Sequence, residues 1–343
     1  MKIAFIADTH FGARKNSKFI MEMQKRYFKE YFFPYLYNND IKIVVHFGDF
    51  FDSRKTINFN TLRHSVDSFI KPLIDNGIHL HMLVGNHDSY YKSSGELVST
   101  KILFSSYLNV TIYDTPTVVE LDGSGCTFLM VPWIFPNKKE ETIKMIKTST
   151  ADYCCGHFEM LGVEMQRNRV SKKGVDTGIF SHFNHVFSGH FHKKSTYYIG
   201  SPYQMSWADY DDEKRIIVLD TDTGIHEDVY LAETTFHEII YPLRAPLYME
   251  TYRDKMVRVR VLNMDNPAEF DKFIAELEAV EPFDIDIKNE YLYMDVINED
   301  VKDDMDTLSV LLDSVKNINE LSEGDAIVVC EILRKLYEKA KGE

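Results

Sequence analysis

The chain has 343 residues with 44% hydrophobic and 27% charged side chains, the balance of an ordinary globular protein of two or three domains. Its formal net charge of −14 argues, taken whole, against a nucleic-acid binder, since such proteins carry a basic footprint. The charge is uneven, however. Residues 1–225 hold 26 basic and 25 acidic side chains, whereas residues 226–343 hold 13 and 28. Four cysteines, none in a C-x-x-C pair, fit neither a disulfide framework nor a structural zinc site, and point to a reducing compartment. No apolar run approaches the ~20 residues of a membrane span, and the N-terminus is too soon acidic for a signal peptide. A cytoplasmic protein without a membrane partner is expected.

In chain order, residues 2–7, 42–48 and 79–85 read as buried strands, each ended by Asp or Gly. Between them, 17–38 and 58–76 read as helices, with Pro34 and Gly77 helping to stop them. This βαβαβ order predicts an α/β fold with a largely parallel sheet and a site at the carboxyl ends of the strands. From 110 to 131 three strand-length runs separated by turns predict antiparallel pairing. A helix is expected over 138–148, strand-to-loop units over 151–157 and 185–192, and further strands over 197–205 and 214–224. Beyond a boundary near 225–245, residues 256–263 read as a strand, 267–279 as a helix and 283–296 as a hairpin. Two amphipathic helices, 301–318 and 325–340, end the chain. The predicted domains are 1–225 with the motifs, 226–297 as an accessory unit and 298–343 as a helical segment.

Five short clusters carry the chemistry: D-T-H (8–10), G-D-F-F-D (48–52), G-N-H-D (85–88), G-H (156–157) and G-H-F-H (189–192). Each follows a predicted strand, and their Asp, Asn and His side chains are the oxygen and nitrogen donors that bind divalent transition metals. One such match is weak; five in order at strand ends are specific. The other histidines His46, His79, His81, His182 and His185 read as hydrogen-bonded structural residues. The aromatics between Phe19 and Tyr37 have helical spacing and read as core, as do Cys154 and Cys155.

These clusters resemble those of the calcineurin-like metallophosphoesterases. Together with the stretch YIGSPYQMSWADYDDEKR (198–215), they look most like the nuclease subunits of SbcCD-type double-strand-break repair complexes, especially the phage recombination nucleases. The resemblance implies a four-layer αββα sandwich of mixed sheets, with a small α+β accessory domain and C-terminal helices. It also implies two divalent ions, Mn²⁺ foremost. One would be held by Asp8, His10, Asp49 and His192, the other by Asp49, Asn86, His157 and His190, with Asp49 shared. His87 would be the catalyst that is not a ligand, Asp88 would orient His87, and Asp52 would support the site. A shared carboxylate offsets part of the repulsion between ions ~4 Å apart.

Further implied are 3′-to-5′ exonuclease action on duplex DNA ends, single-strand endonuclease action, a homodimer, and an SMC-like ATPase partner docked on 298–343. Arg14, Lys15, Arg54 and Lys55 after the first two motifs, with Lys18 and a run from Arg167 through Arg169 to Lys172 and Lys173, are candidate DNA-backbone contacts. Two rival readings stay open: a metallophosphatase or small phosphodiesterase, and a non-catalytic assembly subunit with a vestigial site. The G-D-F-F-D-S-R and G-N-H-D sequences depart from the G-D-x-x-D-R-G and G-N-H-E of protein Ser/Thr phosphatases.

Overall fold

The computed structural model describes residues 1–166, 169–290, 312, 315 and 329–334. The strands are β1 (Lys2–Ile6), β2 (Ile43–His46), β3 (His79–Leu83), β4 (Val110–Tyr113), β5 (Thr117–Glu120), β6 (Thr127–Val131), β7 (Tyr153–His157), β8 (Glu164–Gln166), β9 (Arg169–Val170), β10 (His185–Gly189), β11 (Ile216–Asp220), β12 (Ile225–Val229), β13 (Phe236–Tyr241), β14 (Met256–Val261) and β15 (Asp284–Asn289). One sheet has the order β12-β11-β1-β2-β3-β4, a second the order β10-β7-β6-β5, and a third the order β13-β14-β15. In the first sheet β1 to β4 are mutually parallel, and β11 and β12 add an antiparallel edge. In the second, β6, β7 and β10 are parallel and only β5 is antiparallel.

Strand alternation divides the apolar residues into three cores. Ala4, Ile6, Val44, Leu80 and Met82 point to one side of the first sheet, against Phe28, Phe32, Phe69 and Leu73 of the helices. Ile3, Phe5, Val45 and Leu83 point to the other side, against Phe128, Met130, Cys155 and Phe187 of the second sheet. Leu129, Cys154 and Val186 leave the second sheet outward, toward Ile146, Phe158 and Phe180. The order is helices, sheet, sheet, helices: the four-layer αββα sandwich. The adjacent cysteines Cys154 and Cys155 are fully buried on opposite faces.

Several local expectations change. The segment 110–113 pairs parallel to β3, because the chain crosses over through the helix Ser99–Phe104 rather than turning back. The first helix ends at Asn38 as expected, but Pro34 lies inside it and is not what stops it. The turns immediately before it, Tyr27–Phe32, widen to π geometry, and Val66–Ile70 does the same before Pro72. A proline lacks the amide for its helix bond and clashes with the carbonyl four residues back, and the wider turn relieves that clash. Gly77 does close the second helix, at φ +62°. Residues 197–205 form no strand beyond a bridge between Ser188 and Tyr198. The guanidinium of Arg215 instead donates to the carbonyls of Ser195, Tyr198 and Ile199, supplying partners that a neighbouring strand would have given.

The chain divides into two compact units. The first comprises Met1–His237, Tyr252–Val257 and Glu281–Asp284, and the second Glu238–Thr251, Arg258–Val280 and the residues from Ile285 onward. In the second unit the helix Pro267–Glu278 is capped by Asn266 and buries Phe270, Phe273 and Leu277. Tyr241 packs against both phenylalanines. Of the expected hairpin over 283–296, β15 is described and residues 291–296 lie outside the described residues. So does nearly all of 298–343, including most of both expected C-terminal helices. Among the described residues no helix is long and apolar enough to cross a membrane.

Phe5 joins the two sheets, edge-on to Phe47 and Phe187. Phe5→Ala should therefore lower unfolding stability by about 3–5 kcal/mol, read as a fall in the urea midpoint.

Candidate metal centre

The parallel strands deliver five loops to one edge of the sandwich. Asp8 and His10 follow β1, Asp49 follows β2, and Asn86 and His87 follow β3. His157 ends β7, and His190 and His192 follow β10. The first two loops run side by side: the amides of Asp8, His10 and Phe11 donate to the carbonyls of Gly48, Asp49 and Phe50. Asp8, His10, Asp49 and His190 all adopt positive φ, at 52°, 44°, 53° and 99°. Each such residue costs about 1–3 kcal/mol and persists only where its surroundings enforce it.

At Asp49 that enforcement comes from Asp88. Its buried carboxylate accepts from the amides of Asp49 and Gly85 at 2.8 Å, Phe50 at 3.0 Å and Phe51 at 3.4 Å. The expected pairing of Asp88 with His87 is not formed, because these backbone donors occupy both carboxylate oxygens. His87 Nδ1 instead lies 2.5 Å from the carbonyl oxygen of Asp52. Gly85 must be glycine here: a Cβ would lie 2.2 Å from the Asp49 nitrogen.

Two groups of donor atoms result. In the first, Asp8, His10 and His192 converge, with His10 Nε2 and His192 Nε2 3.0 Å apart. In the second, Asp49, His157 and His190 converge on Asn86, whose Oδ1 is 3.0 Å from His157 Nε2 and 2.8 Å from His190 Nδ1. Asp49 faces both groups, with Oδ1 3.5 Å from His157 Nε2 and Oδ2 3.8 Å from His10 Nε2. Within each group of three the ligand atoms all lie within 4.8 Å of one another. Bonds of ~2.1 Å in an octahedron put adjacent ligands ~3 Å apart and opposite ones ~4.2 Å apart, so both groups fit a divalent ion. His157 Nδ1 donates to the carbonyl of Phe47 at 2.6 Å, which leaves Nε2 as the ring atom that would meet an ion.

The electrostatics agree. Burial, reinforced by the charge of Asp49, pushes the Asp8 carboxyl up to about 8, although His157 opposes the shift. Burial takes His190 down to about 3 and His10 well below its usual range, so both rings are neutral, the form that ligates. Burial also opposes charge on His157, but Asp49 and Asp8 outweigh it and raise that ring to about 9. Ligation would therefore displace protons from Asp8 and His157, whereas His10 and His190 are already in the form that binds cations.

All seven expected ligands are thus gathered at one place. Asp52 lies beside them, with Oδ1 3.5 Å from His10 Nδ1, and the His87 ring is edge-on to His10 at 5.0 Å. Arg14, Lys15 and Lys55 are exposed on the adjoining loops, and Arg54 is half-buried. Lys18, Arg169, Lys172 and Lys173 are exposed, and Arg167 lies outside the described residues.

The roles of several other residues did not emerge from the sequence. Gln24 and Tyr203 both donate to the carbonyl of Thr9, at 2.9 and 2.8 Å, fixing the Thr9–His10 peptide. The Lys214 ammonium, buried, bonds Asp209 at 2.8 Å and the His192 carbonyl at 3.0 Å. Trp133 lies against the rings of His157 and His190, at 6.0 and 5.0 Å. Tyr203, Asp209 and Lys214 all fall in the 198–215 stretch, so the only available signal was its resemblance to a family motif.

Removing one member of the Lys214–Asp209 pair strands a buried charge. Lys214→Met should cost about 3–5 kcal/mol in urea unfolding, and the double variant Asp209→Asn/Lys214→Met should recover much of it.

The chain is similar to several known proteins. The chain is 29% identical to exonuclease subunit 1 of Enterobacteria phage T4, over 99% of both chains. It is 23% identical to the putative phosphoesterase 244L of Invertebrate iridescent virus 6, over 76% of this chain and 86% of that one. Among solved structures, an archaeal phosphodiesterase aligns over 67% of this chain and all of its own, at 15% identity and a TM-score of 0.32. The calcineurin-like phosphoesterase family model matches residues 1–194, which contain every residue of the two donor groups. The chain belongs to the calcineurin-like phosphoesterase family.

Proposed function

We propose that the chain is a DNA nuclease that hydrolyses phosphodiester bonds with two divalent ions, Mn²⁺ in the cell. The observation that carries this reading is the pair of donor groups with Asp49 facing both. It is joined by the end-to-end match to a phage exonuclease subunit. Asp8, His10, Asp49 and His192 would hold one ion, and Asp49, Asn86, His157 and His190 the other. When bound, such ions supply Lewis acidity toward a phosphodiester and lower the pKa of water.

The remaining chemistry falls to the chain's own side chains. With His87 Nδ1–H donated to the Asp52 carbonyl, Nε2 is the ring atom free to carry a proton to the leaving oxygen. Arg54 Nη1 is buried with no hydrogen-bond partner among the described residues, a donor suited to a phosphate oxygen. One cleft beside the centre is lined by Lys15, Asn16 and Asp52, and another by His190, His192 and Lys193. Open clefts flanking a partly exposed centre suit a polymer that passes across it better than a small ester.

The finer reading is 3′-to-5′ exonuclease action on duplex ends with endonuclease action on single strands. It includes a homodimer and an SMC-like ATPase bound through 298–343, in recombination and double-strand-break repair. The relative's designation as a subunit supports a partner protein.

With Mn²⁺, the chain should release nucleotides from end-labelled linear duplex DNA. Turnover of a phosphoprotein or a cyclic nucleotide with intact DNA would overturn the reading. His87→Ala should lower kcat about 10²–10⁴-fold with metal stoichiometry unchanged. Arg54→Ala should reduce the slope of log DNA affinity against log salt by about 1, and an unchanged slope would remove Arg54 from the phosphate contacts.

A further inference from the structure

A second set of metal-type side chains lies at the opposite end of the first sheet. His79 opens β3 and His81 follows two residues later, so both project from the face that packs on the second sheet. Asp122 sits in the turn between β5 and β6 of that second sheet, at φ 44°. Its Oδ2 lies 2.7 Å from His79 Nδ1 and 3.3 Å from His81 Nε2. The three donor atoms all lie within 4.8 Å of one another, as those of each catalytic group do. Asn86 lies seven residues beyond His79, roughly 20 Å further along the extended chain, so the two places are separate.

The outer nitrogen of each ring is held by a hydroxyl of β4. His79 Nε2 is 2.9 Å from Thr111 Oγ1, and His81 Nδ1 is 2.8 Å from the Tyr113 hydroxyl. When each outer N–H donates to its hydroxyl, both inner nitrogens turn lone pairs toward the Asp122 carboxylate. Such outer hydrogen bonds fix the tautomer and ring orientation of metal-bound histidines. Burial, with His79 adding and Asp122 opposing, brings His81 down to about 4, so that ring is neutral near pH 7. Two imidazoles and one carboxylate are a donor set that favours Zn²⁺, Ni²⁺ or Co²⁺ over Mg²⁺ or Ca²⁺. The side chains of Asp122 and His79 are 40% and 28% exposed, which leaves a path for the ion and room for water ligands.

We propose that His79, His81 and Asp122 form a separate structural site for a transition-metal dication of the zinc class, clipping the two sheets together at the end remote from the catalytic centre. The competing arrangement is a purely hydrogen-bonded cluster, with His81 Nε2–H donated to Asp122 and the Tyr113 hydroxyl donated to His81 Nδ1.

The test is zinc stoichiometry of the full chain by atomic emission after equilibrium dialysis. The double variant His79→Gln/Asp122→Asn should bind one equivalent fewer than the parent, while its Mn²⁺-dependent phosphodiesterase activity stays unchanged. Asn is chosen at 122 because it tolerates the left-handed backbone. Equal stoichiometry in parent and variant would overturn the proposal in favour of the hydrogen-bonded cluster. Should the variant not fold, anomalous diffraction from parent crystals grown with Zn²⁺ decides the matter. A peak among His79 Nδ1, His81 Nε2 and Asp122 Oδ2 supports the site. Peaks confined to the catalytic centre overturn it.

Discussion

The buried carboxylate of Asp88 holds the catalytic edge together. Four amides from two loops converge on it, and those loops carry Asp49, Asn86 and His87. An anion receiving several backbone N–H donors is a strong, directional anchor, and it serves best where the backbone is least relaxed. Without it, the left-handed turn at Asp49 would have little to oppose its return to an ordinary conformation. Asn86 and His87 would then lose their fixed separation from the first two loops. Asp88 thus acts through the backbone, which differs from the part that its place in the G-N-H-D motif implies.

A second tier of support comes from a segment distant in sequence. Between residues 195 and 215 the chain forms little regular structure, yet Tyr203, Asp209, Lys214 and Arg215 are all buried in it. Each reaches main-chain groups of the Thr9 and His192 loops or of the segment itself, and Arg215 also pairs with Asp228. The ligands thus sit on loops, but the loops are tied down by side chains with no ligand role. That is how a site on flexible connections keeps the positional accuracy that metal chemistry needs.

Much of this was legible in the sequence because the chemistry is written in residue types at strand ends. Asp8, Asp49, Asn86, His157, His190 and His192 each follow an apolar run, and parallel strands bring such ends together without further information. Pairing direction was not legible at 110–113, because a short apolar run bounded by turns looks the same in either orientation. The π turn before Pro34 was hidden because it has no residue signature of its own. Asp88 was misread since a carboxylate next to a histidine in sequence suggests a pair, whereas three of its four partners come from a loop nearly forty residues away. The roles of Lys214 and Asp209 needed the tertiary fold, because their partner is a main-chain carbonyl that any sequence supplies.

The two donor groups draw on both sheets. Asp8, His10, Asp49 and Asn86 come from the first, and His157, His190 and His192 from the second. Occupancy is therefore coupled to the packing of one sheet on the other through Phe5, Phe47 and Phe187. An ion that binds only the folded sandwich adds about 1.4 kcal/mol to its stability for each tenfold excess over its dissociation constant. A cell short of the ion would hold a protein that is looser as well as idle, opening more often to proteases. Metal supply would then set how long the molecule survives as well as how fast it works.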